Sequence, residues 1–277
     1  MSCMKRLLIV CLMAVGFACG AHAEDIEVYA PNGLVPGTPT YWNWSGIYVG
    51  GQYGMASANF NPGNATGPLV ANLLRNTTIE NEAQVSQWPQ LKGSSATGTS
   101  YGGFVGFNQQ WEDVIVGFEL NYSIGTLSGK SSDSIARNYS ASDGYLYTVA
   151  VNSNASMSVK DYGTLRARAG YVMDRFLPYV QVGGAIGRAD VSRSVSVALT
   201  GTDVTNTPPL PDVALNASET DSKKDAFIYG FTAGVGIDVA ITPNIFLRAE
   251  YEYIAFFPYK DMNMSINTGR VGVGVKF

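Results

Sequence analysis

Val114-Ile115-Val116-Gly117-Phe118-Glu119-Leu120-Asn121-Tyr122-Ser123-Ile124 is the stretch that decides the fold. In an extended chain Val114, Val116, Phe118, Leu120 and Tyr122 fall on one side, and Ile115, Gly117, Glu119, Asn121 and Ser123 on the other. A period of two is a strand signal. The same alternation recurs outward in both directions. It is present in Trp44–Ala56, Tyr101–Trp111, Val159–Met173, Leu177–Arg188, Phe227–Ile241 and Ile245–Phe257, and in the terminal set Val271, Val273, Val275 and Phe277. That makes eight segments, most of them near or above the ~9–11 residues that a tilted membrane strand needs.

The connections alternate in length. Trp111-Glu112-Asp113, Asp174-Arg175 and Thr242-Pro243-Asn244 are tight turns, whereas residues 59–97, 127–156 and 191–224 read as long loops. Short turns at one end and long loops at the other describe an outer-membrane barrel. A soluble sandwich also alternates, so periodicity alone does not decide between them. The loop rhythm, the even strand count, the terminal aromatic and an export signal favour the membrane. The expectation is an all-β, eight-stranded antiparallel transmembrane β-barrel of outer-membrane type over residues 44–277, with long extracellular loops. Both ends of the barrel then lie on the short-turn, periplasmic side.

The export signal is at the start. Lys5 and Arg6 precede an apolar run from Leu7 to Ala18, and Ala21-His22-Ala23 is an A-x-A cleavage pattern. Residues 1–23 read as a signal peptide and 24–43 as a periplasmic segment. Cleavage after Ala23 would remove Cys3, Cys11, Cys19 and the only histidine, His22. The exported chain would then need no disulfide framework and would hold no Ser-His-Asp triad, Cys-His dyad or His-ligated metal. No cofactor or metal is expected. The 277 residues carry 31 Gly and only 14% charged residues, a composition unlike a disordered chain. A net charge of −4 gives no reason to expect a nucleic-acid partner.

Aromatics near the short turns, Trp42, Trp44, Trp111, Phe176 and Phe246, are expected in an interfacial girdle, with Tyr122, Phe256, Phe257 and Tyr259 at the other rim. The charged residues fall mainly on the polar face of the strands: Glu119, Arg166, Arg168, Arg248, Glu250, Glu252, Arg270 and Lys276. An eight-stranded barrel is just wide enough for side chains to fill, so these charges form either an ion-paired core or a selectivity ring in a narrow pore. Glu250 and Glu252 are spaced like an acid/base pair, but no nucleophile accompanies them and arginines flank them. Gly102-Gly103-Phe104-Val105-Gly106 lies inside a strand, where a phosphate loop does not. Tyr145–Val151 alternates within a loop, as a hairpin projecting beyond the bilayer would.

Several strand motifs resemble those of small alphaproteobacterial outer-membrane proteins. Trp44-Ser45-Gly46-Ile47-Tyr48-Val49-Gly50-Gly51-Gln52-Tyr53-Gly54 resembles their first strand, and Gly102–Trp111 their second. Leu165–Tyr171, Leu177–Val180, Glu250–Tyr253 and Asn267–Val273, which runs on to Phe277, resemble later ones. The group comprises surface antigens and small porins and includes hemin-binding proteins. The resemblance covers the strands, not the loops. It implies a Gram-negative outer-membrane location, outer-membrane lipid around the barrel, and assembly machinery that reads Val271, Val273, Val275 and Phe277. It also implies hemin or a host surface as loop partners. A structural envelope protein and surface antigen is the first functional expectation; a small diffusion porin and a hemin-binding receptor or adhesin are the alternatives. An enzyme is not expected.

Overall fold

The computed structural model describes residues 42–277; the expected signal peptide and most of the 24–43 segment lie outside them. Eight strands run in order: β1 (Gly46–Asn61), β2 (Ser94–Trp111), β3 (Val114–Ser140), β4 (Tyr145–Tyr171), β5 (Phe176–Asp203), β6 (Val213–Ala240), β7 (Ile245–Phe256) and β8 (Asn263–Lys276). Each pairs antiparallel with the next, and β8 pairs with β1 to close the barrel. Two short helices, α1 (Gly67–Leu73) and α2 (Thr78–Ala83), occupy the connection between β1 and β2. The outward residues of the alternating segments, from Ile47 to Val275, form an exposed apolar belt, as a lipid-facing wall requires.

Two of the expected long loops are strand instead. Residues 127–140 and 145–156 extend β3 and β4, and most of 191–224 extends β5 and β6, giving strands of 27, 27, 28 and 28 residues. Their pattern reverses in polarity as they leave the belt. Within the belt β5 turns Val180, Val182 and Ile186 outward; above it Ser194, Ser196 and Thr200 face out while Val195, Val197 and Leu199 face in. Water replaces lipid outside and the interior becomes a packed core, so the burial rule inverts.

Register shifts mark the reversal on neighbouring strands, between Ile124 and Leu127, Val159 and Asp161, and Ala189 and Val191. A bulge inserts an extra residue and strengthens local twist. Lys160, the extra residue of β4, reaches Asp190 at 2.9 Å and Asp225 at 3.0 Å, tying β4, β5 and β6 together at this level.

The β1–β2 connection closes the projecting sheet. Leu69, Val70 and Leu74 from α1 and its end, Ile79 of α2, and Val85 and Trp88 beyond it pack on Val149, Val151, Val195, Val197 and Leu199. Thr77 caps α2 by accepting from the Glu80 amide, the capping-box position. At the far tip Asp203 accepts hydrogen bonds from the backbone amides of Leu210 (2.7 Å), Thr205 (2.9 Å) and Asn206 (3.2 Å), and these amides hold its carboxyl well below the usual carboxylate range.

Candidate functional site: the barrel interior

The interior is stacked in layers. At the short-turn end Trp44, Tyr48, Phe104, Ile115, Val172, Leu177, Ala240 and Phe246 form an apolar floor. Phe246 meets Trp44 and Tyr48 edge-on, each with ring centroids 5.9 Å apart. Gly50 and Gly274 make room: a Cβ at Gly50 would run into the Phe104 ring and one at Gly274 into the Phe246 ring.

This floor corrects the expected girdle. Trp44 and Phe246 are 4% exposed and point inward. Phe246 sits between Ile245 and Leu247, which both face lipid, so the alternation of β7 itself turns it inside. Trp42 is half-buried beneath the floor, under the Arg175 guanidinium. Trp111 and Phe176 are exposed on the outer wall, while Phe256 of the other rim is buried within the barrel.

Above the floor lie four arginines and four carboxylates, each 5% exposed or less. Arg166 bridges Glu250 and Glu252 at 2.8 Å each and also contacts Glu119. Arg248 holds Glu119 at 2.7 Å and Asp238 at 2.8 Å. Arg168 pairs with Asp238 at 2.9 Å, and Arg270 with Glu250 at 2.8 Å and with Glu252. Hydroxyls complete the carboxylate shells: Tyr48 donates to Glu119 at 2.8 Å, Tyr179 to Glu250 at 2.9 Å and Thr232 to Glu252 at 2.8 Å. Arg168 lies 3.9 Å from the Tyr179 ring centre and Arg248 4.0 Å from that of Phe104. Formal charge balances, as burial demands.

Strand register builds this layer, because Glu119 sits opposite Arg166, Asp238 opposite Arg248 and Glu250 opposite Arg270. Asp238 is absent from the sequence-based set, although its place on the polar face of β6 was visible. Lys276, which was in that set, is outside the network. It lies at the short-turn end, where its ammonium donates to the Asn43 carbonyl.

An apolar ceiling follows, with Phe60, Leu127, Met157, Tyr162, Val191, Ile228, Ile254, Phe256, Met264 and Ile266 among its residues, and the helical insert stands above it. Glu250 is held by three arginines and Glu252 by two, the arrangement of a structural ion network. Among the described residues there is no group of acidic, cysteine or histidine side chains that could hold a metal.

A closed eight-stranded barrel with a lipid-facing apolar belt and an ion-paired, plugged interior is an outer-membrane barrel of the small, filled kind. The family model described as "Outer membrane protein beta-barrel domain" matches residues 9–277, and the chain belongs to that family. It is similar to the 25 kDa outer-membrane immunogenic protein of Brucella ovis, with 24% identity over the whole of both chains. It is also similar to the 31 kDa outer-membrane immunogenic protein of Brucella melitensis, with 25% identity over 99% of this chain and all of that one. Among solved structures, Neisserial surface protein A aligns over 84% of this chain and 98% of its own, at 16% identity and a TM-score of 0.38. The chain is thus an outer-membrane protein of a Gram-negative bacterium, related to the alphaproteobacterial barrels its strand motifs resemble.

Proposed function

We propose that the chain is a structural protein of the outer membrane whose projecting sheet and helical insert serve as a surface antigen, and that it neither conducts solutes nor catalyses a reaction. One observation carries this reading: the neutral ion network is sandwiched between an apolar floor and an apolar ceiling. Ions crossing such a stack would have to shed water beside fixed, already paired charges. The names of the Brucella relatives support the antigenic role. Export by a cleaved signal peptide ending at Ala23, an outer-membrane lipid environment and recognition of the terminal Val271, Val273, Val275 and Phe277 by assembly machinery belong to the same reading. Reconstitution in a planar bilayer tests it. The expected result is no steady current; a stable, charge-selective current from the native barrel would establish the porin alternative instead.

A further inference from the structure

Two strands of the projecting sheet are left with free edges. The pairing of β3 with β2 ends at Ile124, so Thr126–Ser140 pairs with β4 alone. The pairing of β6 with β7 begins at Gly230, so Val213–Ile228 pairs with β5 alone. Alternate residues on each edge therefore direct N–H and C=O groups away from the sheet. Natural edges are usually blunted by proline, by charge or by shortness. Neither edge contains proline; exposed charges stand at the membrane-proximal ends, Lys130 on β3 and Lys223, Lys224 and Asp225 on β6, and beyond them the outward side chains are small and uncharged, such as Ser132 and Ser134 on β3 and Ser218 and Thr220 on β6. The inward charges Glu219 and Asp221 are engaged within the chain, by Asn72 and Lys260.

The two edges match each other. All copies in one membrane share an orientation, β3 runs away from the bilayer, and β6 runs back towards it. Placing β6 of one copy beside β3 of the next therefore gives an antiparallel pair, with the free side of each strand facing the other. Both edges begin at the level of the register shifts. Pairing β3 with β3, or β6 with β6, about an axis normal to the membrane would instead set strands parallel, the less stable ladder. We propose that the β6 edge of one copy pairs with the β3 edge of its neighbour, joining the projecting sheets of adjacent barrels into one continuous sheet. The contact is heterologous, so it propagates into rings or rows rather than closing as a dimer.

Cysteine cross-linking in intact outer membranes tests this in a Cys3→Ser, Cys11→Ser, Cys19→Ser background. Ser128→Cys or Ser132→Cys on β3 is combined with Ser218→Cys or Ser222→Cys on β6, covering different registers. A bifunctional maleimide spanning about 8 Å cannot bridge the two sites within one chain, since three strand spacings separate them by about 14 Å. At least one double variant should give a ladder of multiples of the chain mass. The single variants, and Asn154→Cys on the outer face of β4, should stay monomeric, and all should keep the heat-modifiable migration of a folded barrel. Dimers from the single variants, adducts of foreign mass, or no ladder from any folded pair would overturn the proposal.

Discussion

Glu119 is the hub of the interior network, and removing its charge is the sharpest test of a dry, packed lumen. Its carboxylate meets Arg248 at 2.7 Å, Arg168 at 3.5 Å and Arg166 in closer contact, and accepts the Tyr48 hydroxyl. Glu119→Gln keeps the volume and leaves four arginines against three carboxylates. The Arg248 contact sets the two charge centres about 4 Å apart, worth about 4 kcal/mol at an effective dielectric of 20. Breaking one partner of a buried pair typically costs about 3–5 kcal/mol. The loss should fall in that range, read as a lowered denaturant midpoint with unchanged slope for the barrel in detergent or vesicles. Restoring neutrality with Glu119→Gln plus Arg248→Met should recover much of it, because the double variant leaves no uncompensated charge; residues in one network couple in this way. A single variant that loses under about 1 kcal/mol, with no coupling in the double, would mean that water already screens the lumen, and the sealed-core argument would fail.

Three further outcomes are expected. The carboxyl of Asp203 is held below its usual range by backbone amides, so the tether it provides is fully present above the ordinary carboxylate range near 4 and is lost as pH falls towards the depressed value. Limited proteolysis between residues 204 and 212 should therefore be slow from neutral pH down to about 4, and Asp203→Asn should make the segment sensitive at neutral pH, whereas equal cleavage of both forms would contradict the tether. Gly50→Ala places a methyl against the Phe104 ring and the Val273 carbonyl, and should cost about 1–3 kcal/mol in chemical unfolding; a neutral result would show that the floor can repack. Deleting Phe277, whose amide bonds the Ile47 carbonyl across the β8–β1 seam, should lower assembled barrel without lowering export, and unchanged surface levels would count against the terminal signal.

The membrane half of the barrel was legible because one rule holds there throughout: alternate residues meet lipid. That rule placed Val114, Val116, Phe118, Leu120 and Tyr122 outward and Glu119, Arg166, Arg168, Arg248, Glu250, Glu252 and Arg270 inward. Of the projecting half only the alternation of Tyr145–Val151, read as a hairpin beyond the bilayer, was legible; elsewhere the polarity of the two faces inverts above the bulges, and on β4 and β6 the phase changes there too. Ser192 to Thr200 then looks like a polar loop with scattered valines, although Val195, Val197 and Leu199 are packed side by side. The girdle failed at Trp44 and Phe246 for a related reason. Trp44 and Phe246 stand at strand ends, as girdle residues do, but only their parity shows which way they point, and Phe246 shares the parity of Arg248 and Glu250. The helical insert left a weak trace, because helices of seven and six residues offer too few turns for a 3.6 period to register.

The helical insert also ties distant parts of the chain together. It lies early in the chain, between β1 and β2, yet its partners lie late. Asn72 bonds Glu219, 147 positions downstream, and Arg193 bonds the Ala65 carbonyl across 128 positions. Contacts of such sequence separation form slowly, since chain entropy must be lost before they return anything. Until the insert docks, Val149 and Val151 of β4 and Val195, Val197 and Leu199 of β5 have no apolar cover. The insert is thus a latch encoded early and fastened to late strands, and a chain with the latch open presents that apolar face for aggregation.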